Sequence, residues 1–157
     1  MPDLHLTPPT GFPAPLVPTR HRRTLDEIVA GTARKAPCVE HLRLPGIEGW
    51  EYGRVHGRAT VPADYLGDHG VVFGGYIASL ADQFCALAVL TCLPDTHDFL
   101  TAELNTKFRR PLSTEPTLIT AEVTELTSRY AIATVKISQN DAVAAEATAT
   151  QILRSVA

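Results

Sequence analysis

The chain lacks the residues that would tie it to nucleic acid, to a membrane surface or to a metal. Lys and Arg number 14 against 17 Asp and Glu, for a formal net charge of -3 at pH 7, and no block of basic residues occurs. The electrostatic footprint of a nucleic-acid or anionic-membrane binder is therefore missing. The cysteines are few, namely Cys38, Cys85 and Cys92. An odd count without CxxC spacing argues against a disulfide framework and for reduced thiols in the cytoplasm. No basic start followed by an apolar stretch opens the chain, so no signal peptide is expected. His, Cys and carboxylate positions show no metal-ligand spacing, and both the GxSxG elbow and the phosphate loop are absent, so neither metal nor cofactor is inferred.

What is present is enough apolar material for one core: 45% hydrophobic and 20% charged residues over 157 positions, which fits a single globular unit. Its start is uneven. Pro2, Pro8, Pro9, Pro13, Pro15 and Pro18 crowd the opening stretch, fixing φ and removing backbone donors, which predicts an extended arm that buries little. "TLDEIVAGTARKA" then reads as a short helix with Thr24 as N-cap and Glu27 closing a capping box, a surface lid or dimer-edge element. Residues 1–38 are thus assigned to arm and helix, and 39–157 to the main domain.

From Val39 the pattern is one of strands around a single helix. "VEHLRL" and "WEYGRVHGRATV" suggest a hairpin about Pro45 and Gly46. "FLTAELNTKFRR", "TLITAEVTEL", "YAIATVKIS" and "AVAAEATATQIL" alternate with period two and are separated by short turns, as antiparallel neighbours are. Between Gly75 and Leu93 the chain is apolar on nearly every side of a helix, with Ser79, Asp82 and Gln83 at i, i+3 and i+4 forming one polar stripe. A bilayer span is disfavoured by that Asp, which costs roughly 2.5 to 3.5 kcal/mol at a membrane centre. The fold class is α+β, a six-stranded antiparallel sheet curled around one long central helix: the hotdog architecture.

Asp82 is the residue that needs a reason. It lies about 10 Å along the axis from the helix start by helical rise, too deep to act as a cap. Either it is a structural buried pair, or it is a general base or nucleophile tuned by burial. At the helix start, Gly74 and Gly75 would present unpaired N–H groups and the positive end of the dipole to a carbonyl oxygen, as an oxyanion site does.

"GVVFGGYIASLAD" followed by "FLTAELNTKFRRP" resembles the hotdog-fold acyl-CoA thioesterases of the phenylacetate-pathway (PaaI) type, within the 4-hydroxybenzoyl-CoA thioesterase-like superfamily, over roughly residues 39–154. Gly70, Gly74, Gly75 and Asp82 fall on the family motif. The family's usual Asn and His are Gly67 and Phe73 here, both in the loop that helps hold the thioester carbonyl. The resemblance implies hydrolysis of an acyl-CoA thioester to a free acid and coenzyme A, with coenzyme A entering only as part of the substrate. It makes Asp82 the nucleophile or general base and Gly74 and Gly75 the oxyanion site. Thr101 would hold the attacking water, and His69 could stand in for the missing histidine. It further implies Phe73 and Tyr76 near the carbonyl and acyl group, and Arg109, Arg110, Ser128 and Arg129 against the coenzyme A phosphates. The partners implied are the acyl-CoA substrate and a second copy, in a homodimer or homotetramer whose sites each join Asp82 of one subunit to Thr101 of the other. Two rivals stand beside this: a hotdog enoyl-CoA hydratase or dehydratase, from the spacing of Asp64 and His69, and a non-catalytic binder of an acyl-CoA or aromatic ligand.

Overall fold

The computed structural model describes residues 6–156. Its elements are helices α1 (Arg20–Ala30), α2 (Pro37–His41) and α3 (Gly74–Leu90), with strands β1 (Gly49–Glu51), β2 (Arg54–Ala59), β3 (His97–Phe108), β4 (Thr117–Leu126), β5 (Tyr130–Gln139) and β6 (Ala142–Ser155). One six-stranded sheet runs in the order β1-β2-β4-β5-β6-β3, antiparallel at every pairing. It curls around α3, as the alternation of the strands and the all-round apolarity of the helix require.

The core forms where these two patterns meet. Tyr76, Leu80, Phe84, Cys85, Ala88 and Val89 of α3 are buried against Ile119, Ala121 and Val123 of β4, with Ala131, Ala133, Val135 and Ile137 of β5 behind them. On β6 the inward series is Ala145, Ala147, Ala149, Gln151 and Leu153. The run of alanines lets the helix lie close to the sheet. β5 turns into β6 through Asn140 and Asp141, both at positive φ (52° and 59°), the geometry of a two-residue hairpin whose twist matches its strands. β3 pairs with β6 alone, and no residue along it is fully buried.

The leading segment departs from the sequence reading in three ways. α1 starts at Arg20, and its N-cap is Thr19, whose hydroxyl accepts from the Arg22 N–H at 3.1 Å. Thr24 lies inside the helix and bonds back to the Arg20 carbonyl, so the capping box does not form. The apolar period missed this first turn because it is built from Arg and His. Second, "VEH" belongs to α2, started by Pro37 at its first turn, and the hairpin is β1–β2, turning at Tyr52 and Gly53, where Gly53 has φ 78°. Two or three alternations are too few to separate a strand from a helical turn.

Third, the described part of the arm buries none of residues 6–18, as the prolines imply, yet it is anchored. Arg22 is 3% exposed and donates through Nε to the Thr91 carbonyl at 2.9 Å, through Nη1 to the Ala14 carbonyl at 2.9 Å, and also to that of Val17. One guanidinium thus ties the arm to the C-terminal end of α3, where a cation complements the helix dipole. Phe12 tilts against the His97 ring at 5.3 Å. Pro2 lies outside the described residues. No helix among the described residues is long and apolar enough to cross a membrane.

Candidate active site

The polar stripe of α3 is held in place by three different hydrogen bonds. Ser79 bonds back to the Gly75 carbonyl at 2.9 Å. Gln83 donates through Nε2 to the Pro45 carbonyl at 2.6 Å, fastening the loop before β1 to the helix. Asp82 Oδ1 accepts from the Thr101 hydroxyl at 2.9 Å. Thr101 reaches it because β3 runs back along α3, with Phe108 against Gly74 at one end and Thr101 beside Asp82 further on. Behind Thr101, on β6, stands Gln151, with Oε1 at 3.0 Å from the threonine oxygen.

Asp82 is half-buried, so it is not the dry carboxylate that the apolar run suggested. It opens onto a cavity of about 810 Å³ between α3 and the leading segment. Ile28, Val39, Leu42 and Leu44 wall it on one side, Leu87 and Phe99 on the other, and Arg34 and Lys35 stand at its rim. Both cations are exposed and neither has an ion-pair partner among the described residues.

Helix α3 begins without a side-chain cap. Phe73 occupies the N-cap with no side-chain hydrogen bond, and the first N–H groups of a helix have no acceptor within it. The two glycines allow close approach for different reasons. A Cβ on Gly74 would come within 3.1 Å of the Phe108 ring, and one on Gly75 within 2.4 Å of the Phe73 ring. The Phe73 ring therefore flanks the helix start.

Other expected site residues are dispersed. Tyr76 is 1% exposed, stacked on Tyr65 at 4.2 Å, and its phenol, pushed up by burial, donates to the Arg43 carbonyl at 3.4 Å. It is a core residue and does not line the cavity. His69 is exposed in the loop before α3, which is pinned by Gly67 and Gly70 backbone bonds. Asp64, its partner in the hydratase spacing, is ion-paired to Arg43.

Arg109 is ion-paired to Glu146 at 3.1 Å, and Arg110 is exposed beside it. Ser128 and Arg129 lie in the β4–β5 turn at the other end of the sheet, since the Arg129 carbonyl meets Leu153, which faces Phe99. From Phe99 to Arg109 the strand rises about 33 Å, so within one chain these four residues form two patches instead of one phosphate surface.

Sequence reasoning missed Gln151 and the cavity wall of residues 28–46. The first had a signal, because the inward period of β6 places a glutamine among alanines. The second had none, since its apolar residues follow no single period. Among the described residues no three His, Cys, Asp or Glu side chains form a group that could hold a metal ion.

Solved structures share this fold. A phenylacetic acid degradation-related protein from Ralstonia eutropha JMP134 superposes with a TM-score of 0.74 at 22% identity, covering 82% of this chain and 98% of that one. A thioesterase family protein from Silicibacter pomeroyi gives 0.74 at 21% identity, over 84% and 99%. A mutant form of the phenylacetic acid degradation protein PaaI from Thermus thermophilus gives 0.67 at 25% identity, over 74% and 98%. A search of curated proteins found no match. The family model of the thioesterase superfamily matches residues 69–152, the stretch from the loop before α3 to the end of the β5–β6 pairing. With more than half of its length matched, the chain belongs to the thioesterase superfamily.

Proposed function

We propose that the protein hydrolyses an acyl-CoA thioester to a carboxylic acid and free coenzyme A. The observation that carries this reading is Asp82, a carboxylate positioned by the Thr101 hydroxyl at the wall of an apolar cavity. The cavity takes the acyl group, and its 810 Å³ lies within the range of small-molecule sites. Asp82 acts as nucleophile or general base. As base it takes a proton from water while the water oxygen bonds to the acyl carbon. The C–S bond then breaks, and the proton passes to the departing thiolate.

The oxyanion that develops on the carbonyl needs the N–H groups of Gly74 and Gly75. Seven residues separate Gly75 from Asp82, about 10 Å along one helix, more than a single carbonyl spans. A second copy supplies the other half: the helix start of one subunit faces Asp82 of its mate in a homodimer or homotetramer. The long, one-sided β3 edge favours such an assembly. Within one chain the Thr101 hydroxyl already reaches Asp82 at 2.9 Å, so this reading takes that pair beside the one expected from sequence between Asp82 and the mate's Thr101. Arg34 and Lys35 at the cavity rim, and Arg110 with Arg109, Ser128 and Arg129 at the sheet ends, are the groups offered to the coenzyme A phosphates.

The test is hydrolysis of a panel of acyl-CoA esters by wild type and Asp82→Asn. The variant should lose kcat by about 10² or more and keep its Tm. Near-normal turnover would overturn the assignment. Single turnover in ¹⁸O-water then separates the two roles, since only a nucleophilic Asp82 acquires the label.

A further inference from the structure

We propose that Gln151 is a positioning residue for Asp82, acting through Thr101: its side-chain amide donates to the Thr101 hydroxyl, which obliges that hydroxyl to give its own proton to the carboxylate. The inference rests on the hydrolase reading above and deepens it.

It follows from counting protons. Thr101 Oγ1 sits 2.9 Å from Asp82 Oδ1 and 3.0 Å from Gln151 Oε1. A hydroxyl carries one proton, and an ionised carboxylate only accepts. With Oε1 turned toward Thr101, one of the two contacts sets lone pair against lone pair. Gln151 Nε2 is meanwhile buried without any partner, on a side chain that is 0% exposed. A half-turn of the amide removes both faults at once. Its two ends have the same shape, so packing is kept. Nε2 then donates to Thr101, and the end left without a partner is a carbonyl oxygen, which interiors tolerate better than an orphaned N–H.

The outcome is a one-way chain, Gln151 to Thr101 to Asp82, that fixes the threonine rotor and holds Oδ1, leaving Oδ2 for water or substrate. The opposite polarity requires a protonated Asp82, which neither attacks nor accepts a proton, and it still strands Nε2. The surroundings are otherwise quiet. Across the sheet Gln151 faces Ala131 on β5 and Thr101 on β3. The titratable groups of α3 on this side are Asp82 and Cys85, whose thiol burial pushes up to about 12 and which therefore stays neutral.

Three variants test the chain beside Asp82→Asn. Gln151→Met keeps the volume and removes the donor, so kcat should fall about tenfold, the scale for supports behind a reacting group, with KM within twofold. Gln151→Glu should convert a donor into a pH-dependent one. Burial raises a carboxyl pKa. While neutral, its O–H replaces the amide, and as pH rises it ionises, competes for the Thr101 proton and repels Asp82. Its kcat/KM profile should therefore gain a falling basic limb between about pH 6 and 9 that wild type lacks. In a Thr101→Val background, Gln151→Met should cost nothing further.

Wild-type kcat in Gln151→Met, a wild-type profile in Gln151→Glu, or additive losses in the double variant would each overturn the proposal. If Gln151 variants fail to fold, side-chain amide NMR decides. The proposal expects a slowly exchanging Gln151 Nε2 proton that becomes labile in Thr101→Val, and an unchanged proton overturns it. Activity retained in Asp82→Asn would overturn the hydrolase reading and this one together, whereas an inactive Asp82→Asn beside a fully active Gln151→Met would overturn this one alone.

Discussion

The body of the fold, residues 69–152, and the leading segment, residues 6–46, meet across one cavity but contribute different things to it. The body matches the superfamily and supplies Asp82, Thr101, Gln151 and the glycines of the α3 start. The leading segment lies outside that match, gives Asp82 no hydrogen-bond or ion-pair partner among the described residues, and supplies the cavity's other wall and its cationic rim. On the proposed function this is a division of labour, in which the curled sheet and helix carry the chemistry while the added segment bounds the space for the acyl group.

The largest way to break this comparison is to detach the wall. Arg22→Met takes its donors from the carbonyls of Ala14, Val17 and Thr91, of which Ala14 keeps the Val17 N–H, and should destabilise the protein by about 3 kcal/mol. At this chain length that is a fall in Tm of about 6 to 12 °C, read by calorimetry. An unchanged Tm would show that the arm is dispensable.

A smaller effect sharpens the comparison. Cys38 is exposed and lines the cavity, so Cys38→Trp should fill part of it and raise KM for long acyl esters about tenfold, while short esters change little; each buried methylene is worth about 0.8 kcal/mol. The native thiol gives the same information without mutation. Cys38 should alkylate readily and be protected by a long acyl-CoA. Cys85 and Cys92, buried and with raised thiol pKa values, should label only on unfolding. Equal KM shifts for all acyl lengths would move the acyl group elsewhere. The smallest effect belongs to the rim: Arg34→Gln with Lys35→Gln should raise KM about two- to fivefold at low salt and less at high salt, as exposed charges do.

Much of this was legible because period-two and period-3.6 patterns are direct records of burial. β4 lies where alternation placed it, α3 is buried on nearly all sides, and its stripe of Ser79, Asp82 and Gln83 does face the cavity. The unread parts have physical reasons. Thr19 is a cap only because Pro18 and an Arg-rich turn surround it, and propensity without apolar period gives a weak signal. The exposure of Asp82 depends on a cavity built from residues far away in sequence. The pairing of Asp82 with Thr101 in the same chain depends on β3 passing over α3, which spacing alone does not reveal. Tyr76 is held in the core by its stacking on Tyr65, a packing partner that a motif shared with a family does not reveal.

The Asn140–Asp141 turn carries a consequence for how the protein becomes active. Its two left-handed residues preset the β5–β6 hairpin, a local pairing of the kind that forms within microseconds. Asp82, Thr101 and Gln151 are brought together only when β3 pairs with β6 and α3 packs against that sheet, contacts that span 19 and 50 residues of chain. Loop-closure entropy opposes those steps until the sheet is nearly whole. Hairpin formation in a refolding chain therefore comes well before the site is assembled, and the return of the proposed hydrolysis would mark the end of folding.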